Sequence, residues 1–212
     1  MRRVNTSLLA PLERPLLAAL ARVVAPRASA DVCTIAGLGG AVLCCAGYAL
    51  SHVTQWYALL ATAGVVVHWL GDSLDGTVAR LRGAARERYG FYVDHFTDTV
   101  CQVLIFVGLG LSPYVDFRVA LASLVAYQGL VILVFLRTAV LGEFRLSFGG
   151  IGPTEGHALL VLQGLVITTA GPIPLGGISA YDLPVAGFGA LAAFHFLRVG
   201  LREVAELRAR PE

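Results

Sequence analysis

Asp72-Ser73-Leu74-Asp75-Gly76-Thr77-Val78-Ala79-Arg80, followed after nine residues by Gly90-Phe91-Tyr92-Val93-Asp94-His95-Phe96-Thr97-Asp98, is the stretch on which the reading of this chain turns. Four carboxylates stand where two long apolar segments meet. Isolated acids near a bilayer are costly, so four together require a cation, a proton or one another. Asp72 and Asp75 are three residues apart, and Asp94 and Asp98 are four apart. Each pair therefore shares one helix face. Gly76 and Ala79 fall on the side of Asp72 and keep side-chain bulk away from the acids. The pattern predicts an acid-lined cavity with room for a metal and a phosphorylated ligand.

Outward from this stretch the chain is apolar. Of its 212 residues 57% are hydrophobic and 14% charged, and the mean hydropathy is +0.74. That composition excludes a soluble core and predicts an all-α integral membrane protein. Runs long enough to span, roughly 17–25 residues, occur six times: Val32–Leu50, Tyr57–Leu74, Val93–Leu111, Val119–Val140, His157–Leu175 and Leu183–Leu197. Gly171-Pro172 and Pro184 interrupt the last two. The expected organisation is a juxtamembrane segment, 1–28, and a six-helix membrane domain, 29–212.

The chain has no lysine, so arginine sets the orientation. Arg2, Arg3, Arg14, Arg22 and Arg27 precede the first span, and Arg80, Arg82, Arg86 and Arg88 separate the second from the third. Arg137 and Arg145 flank the fourth connection, and Arg198, Arg202, Arg208 and Arg210 follow the sixth span. The loops on the other side hold Arg118 alone. By the positive-inside rule both termini and all four acids lie at the cytoplasmic face. The net charge of +2 gives no reason to expect a nucleic-acid partner, and the arginines face anionic headgroups.

Pro11, Glu13-Arg14 and Pro15 break the N-terminal apolar stretch, which does not read as a signal peptide. Leu9, Leu12, Leu16, Leu20 and Val23 form a stripe at helical spacing, expected to be an amphipathic interfacial helix on the cytoplasmic leaflet. A helix packed on the bundle is the plainer reading. Cys33, Cys44, Cys45 and Cys101 have no metal-ligand spacing.

The acidic stretch resembles the signature of the CDP-alcohol phosphotransferases, D-x-x-D-G-x-x-A-R then G-x-x-x-D-x-x-x-D. All its fixed residues are present: Asp72, Asp75, Gly76, Ala79, Arg80, Gly90, Asp94 and Asp98. One departure is the spacer Leu81–Tyr89, one residue longer than the family's usual eight. The resemblance implies a membrane enzyme of phospholipid synthesis. Such an enzyme moves a substituted phosphoryl group from a CDP-linked donor to an alcohol hydroxyl and releases CMP. It also implies a homodimer. The short, lysine-free chain reads as bacterial, which places it in the inner membrane.

Hard oxygen ligands suit magnesium or manganese, and two such ions can clamp a pyrophosphate. Asp72, Asp75, Asp94 and Asp98 are the expected metal ligands. The resemblance makes Asp98 the general base as well, Arg80 a partner for donor phosphate, and Gly76 and Ala79 the places where the nucleotide approaches the helix. Gly90 is expected to permit close helix approach.

Weaker signals lie outside the motif. Asp31 is either a helix N-cap or a pocket residue, and Thr34 lines the nucleotide pocket. His95, next to Asp94, and Gly152-Pro153-Thr154-Glu155-Gly156 resemble elements of the choline and ethanolamine phosphotransferase branch. They make His95 and Glu155 acceptor-side candidates. Glu155 also stands where a helix dipole favours a carboxylate. Two donor types stay open, CDP-diacylglycerol with a small alcohol and a CDP-aminoalcohol with a lipid hydroxyl. Competing classes are a divalent-cation or proton transporter built on the acids, and a non-catalytic relative that binds lipid or nucleotide.

Overall fold

The computed structural model describes residues 2–4, 8–145 and 152–209. Arg210, counted above for sidedness, lies outside them. The chain is a helical bundle. Helix α1, Ala10–Val24, precedes α2, Ala30–Leu50, and α3, Tyr57–Leu81. Then come α4, Glu87–Leu111, α5, Phe117–Leu141, α6, Pro153–Ala170, and α7, Asp182–Arg208. Short strands pair β1, Arg2–Val4, in parallel with β2, Glu143–Arg145. Strands β3, Pro174–Leu175, and β4, Ile178–Ser179, form an antiparallel hairpin.

By length and composition α2, α3, α5 and α7 can cross a membrane. Helix α4 carries Glu87, Arg88, Asp94 and Asp98 in its first half, and α6 opens on a polar turn, so both are less apolar.

Local chemistry explains the helix ends. Ser29 caps α2, its Oγ accepting from the Val32 N–H at 3.3 Å. Asp31 is therefore not the cap and lies in the first turn. Asp116 caps α5, and Arg118 holds the Asp116 carboxyl below its usual pKa range through side-chain and backbone hydrogen bonds. Pro153 starts α6, and Gly171 at φ 66° with Pro172 ends it at Ala170. The apolar run through Leu175 thus outlasts the helix. Pro184 sits in the first turn of α7, where its missing N–H costs nothing, and α7 continues unbroken.

Packing depends on absent side chains. Helices α2 and α3 meet along Gly37, Gly40, Gly47, Gly64 and Gly71, where main chain touches main chain. A methyl group on Gly71 would lie 2.5 Å from the Cys33 carbonyl oxygen and the Gly37 nitrogen. Gly71→Val is expected to cost at least about 3 kcal/mol, the upper range for overpacking, because backbone cannot rotate aside. Thermal unfolding in detergent measures it, and a wild-type melting curve would contradict the seam.

Although a short turn joins α3 to α4, α4 packs on α2 and α5 and barely touches α3. The main core gathers Tyr48, Val65, Ile105, Leu109 and Ile167. A second cluster joins Ala21 and Ala25 to Cys33, Leu74 and Val78, bracing α1 against α3. Arg137 is no loop charge. It is buried in α5 and paired with Glu143 of β2, at 2.9 Å, and with Glu203 of α7. At the end away from the acids, Asp182 accepts from the N–H groups of Asp116 at 2.8 Å and Ser179 at 3.0 Å.

Candidate active site

The last turns of α3 carry Asp72 and Asp75, and the early turns of α4 carry Asp94 and Asp98. The Thr34 hydroxyl, on α2, donates to Asp75 Oδ2 at 2.8 Å. The Gly76 N–H closes on Asp75 Oδ1. Asp75 is therefore oriented on both oxygens before any ligand arrives. Across the helix boundary Asp72 and Asp98 line the same crevice. Ionised together they repel, and a proton or a cation between them relieves that repulsion.

Asp94 completes the set. Its Oδ2 lies 3.2 Å from His95 Nδ1, and ligand atoms of Asp94, His95 and Asp98 come within 4.8 Å of one another. Such hard oxygen donors with one imidazole fit a divalent cation, magnesium or manganese by chemistry. The His95 ring packs against Phe91, Phe144 and Phe135 at centroid distances of 4.2, 5.1 and 5.3 Å. Its buried Nε2 has no partner among the described residues.

Thr34, Gly37, Leu38, His68, Asp72, Asp75, Thr97, Asp98 and Cys101 line a narrow crevice, partly open to solvent. The space it encloses is on the scale of one water molecule or a bare cation, so a nucleotide lies outside it.

The structure brings the four acids and Thr34 together and separates other candidates. Arg80 is exposed, donating to Thr77 Oγ1 at 3.0 Å, beside Gly76. Ala79 is half-buried on the same turn. Asp31 pairs with Arg86 of the α3–α4 turn at 3.5 Å, both side chains exposed. Gly90 is exposed, and a methyl there would meet nothing within 4 Å. The close approach expected at Gly90 is absent.

Five crevice residues, Gly37, Leu38, His68, Thr97 and Cys101, were not singled out from the sequence as pocket residues. His68 stands four residues before Asp72, Cys101 three after Asp98, and Gly37 three after Thr34. Each lies one turn deeper on a face already identified, and that spacing could have found them. His68 also meets His157, with ring centroids 5.2 Å apart. Their Nδ1 atoms contact the Gly37 and Pro153 carbonyl oxygens.

Glu155 lies in the first turn of α6. Its Oε2 accepts from the Gly152 N–H and its Oε1 from the Leu9 N–H, both at 2.8 Å. This is the reciprocal half of a capping box, since Gly152 has no side chain to supply the other. Glu155→Gln keeps one acceptor and loses the charge at the helix start. The expected result is a stability loss of about 1 kcal/mol with donor affinity unchanged. Melting and donor titration on one variant check it. A stable variant with reduced turnover would instead make Glu155 an acceptor-side group.

The profile of the CDP-alcohol phosphatidyltransferase family matches residues 27–193. No curated protein matches the chain significantly.

Proposed function

The chain belongs to the CDP-alcohol phosphatidyltransferase family, and from that premise we propose that it transfers a substituted phosphoryl group from a CDP-linked donor to an alcohol hydroxyl. The observation that carries this reading is the gathering of Asp72, Asp75 and Asp98 on one crevice, with Asp75 pre-oriented. Asp72, Asp75, Asp94 and Asp98 would hold one or two magnesium or manganese ions, which neutralise donor phosphate when bound.

The residues themselves divide the work. Thr34 and the Gly76 N–H fix Asp75. Asp98, in the wall of the crevice, takes the proton of the acceptor hydroxyl as that oxygen attacks phosphorus. The bond from phosphorus to the CMP oxygen breaks, and CMP departs with the electron pair. Arg80, exposed beside Gly76 and Ala79, is the cation for donor phosphate at the mouth.

The donor follows from the branch elements. Asp94-His95 and Gly152-Pro153-Thr154-Glu155-Gly156 favour a CDP-aminoalcohol and a lipid hydroxyl. Glu155's role in capping weakens its half of that argument. The test offers the purified protein CDP-aminoalcohol and CDP-diacylglycerol donors with lipid and small-alcohol acceptors, and follows CMP and product by mass spectrometry. No CMP from any pair would overturn the proposal.

Six spans and a cytoplasmic site belong to the same reading. Native cysteines are buried or half-buried, so introduced ones report cleanly. Cysteines at Ala84 and Ala209 are expected to label only from the cytoplasm, and one at Ser179 only from outside. Labelling of Ala84 and Ser179 from one side would overturn the topology. The implied homodimer is tested by the mass of the detergent-solubilised protein.

A further inference from the structure

Helix α1 presents two apolar faces, and only one is covered. At 100° per residue, Leu12, Leu16, Ala19 and Val23 fall within an arc of about 60°. Leu12 is 73% exposed, Leu16 50% and Val23 60%. Leu17, Leu20, Ala21 and Val24 take the other side and pack against Leu70, Leu74 and Val78 of α3. Leu74 and Val78 flank Asp75 in sequence. Both ends of α1 are also tied down. The Leu9 N–H donates to Glu155 of α6 at 2.8 Å, and Arg82, just past α3, donates to the Ala25 carbonyl at 2.6 Å.

We propose that α1 is a sensor of the anionic membrane surface: its outer leucines enter the leaflet, its arginines meet anionic headgroups, and its inner face then fixes the acid-bearing end of α3. Two observations choose this occupant. Residues 25–29 alone separate α1 from α2, a helix long and apolar enough to span, so α1 lies at the level of the bilayer surface. Arg14 and Arg22 are exposed along the edge between the two faces, and Arg27 stands past the C-terminus, holding the Val23 carbonyl at 2.9 Å. This charge complements an anionic leaflet. A free apolar face with such an edge has no matching acidic surface among the described residues of α1, which carries Glu13 alone. The proposal rests on the cytoplasmic reading of the site given above, and it adds a dependence on lipid charge.

The test uses the full chain in nanodiscs, either zwitterionic or with about a third anionic lipid. A nitroxide on Leu12→Cys is expected to be accessible to oxygen and shielded from a water-soluble nickel chelate. Accessibility to nickel would overturn the proposal, and so would dipolar broadening from a second copy. Amide exchange across residues 74–81 is expected to slow in anionic discs, and CMP release to rise several-fold. Arg14→Gln with Arg22→Gln should remove both gains while leaving the zwitterionic values unchanged. Surface affinity should fall about five-fold per arginine lost. Equal exchange in the two lipids would overturn the coupling. Absence of CMP release in either disc would count against the proposed reaction alone, since nitroxide depth and amide exchange still decide the role of α1.

Discussion

Asp98→Asn is expected to lower kcat by about 10²–10⁴-fold while the donor dissociation constant stays within a few-fold of wild type. That range is what a positioned general base contributes. Asp75→Asn is expected to weaken donor binding itself. The difference follows from surroundings. Asp75 is held at both oxygens by Thr34 and the Gly76 N–H, the sign of a carboxylate whose place is fixed for a ligand. Asp98 has no such fixed donors on its oxygens among the described hydrogen bonds and stands with Asp94 and His95, their ligand atoms within 4.8 Å of one another. A group needed only in the chemical step lowers kcat without touching ground-state binding. Donor titration and single-turnover CMP release on both variants separate the roles. Equal loss of donor binding would make Asp98 primarily a ligand.

Chelation is expected to remove activity to the background rate, and magnesium or manganese to restore it. Four neighbouring carboxylates repel strongly when ionised, and the nearby arginines are engaged with other partners. Arg80 is engaged with Thr77, Arg82 with backbone carbonyls, and Arg86 with Asp31. A proton or a divalent ion is the remaining compensation, and of the two the divalent ion is also what a pyrophosphate needs. Undiminished CMP release in excess chelator would remove the metal from the mechanism. Direct binding of manganese, followed by its spin-resonance signal, gives a second readout.

The sequence placed the helices well and their neighbours poorly. Hydropathy reports where lipid contact begins, while a helix begins where its hydrogen bonds do. Hence α4 starts at Glu87 rather than Val93, and α7 runs to Arg208 rather than Leu197. Ser29 and Asp31 are both good capping residues, and only the backbone decides that Ser29 takes the role. The acid cluster was legible because helical spacing alone aligns each pair. The meeting of the two pairs follows from the short turn between α3 and α4; the seating of α4 on α2 and α5 rather than on α3 could not be read from it. Gly90 shows the limit of a motif: its identity was read correctly, its reason was not. His68 and Cys101 lay in plain view as one-turn neighbours of the acids, but their types are common in apolar spans.

The glycine seam has a mechanical meaning. With no side-chain layer between α2 and α3, nothing lubricates their contact. A slip of one residue, about 1.5 Å along the axis, drives carbonyl oxygens into neighbouring main chain. The Thr34–Asp75 distance is thus fixed by backbone, not by rotamer choice. Helix α4 meets α3 through little beyond the facing acids. The cleft accordingly has one jaw of α2 with α3 and a second, α4, held by α2 and α5 rather than by α3, so the width available to a cation is set by the seat of α4 on α2.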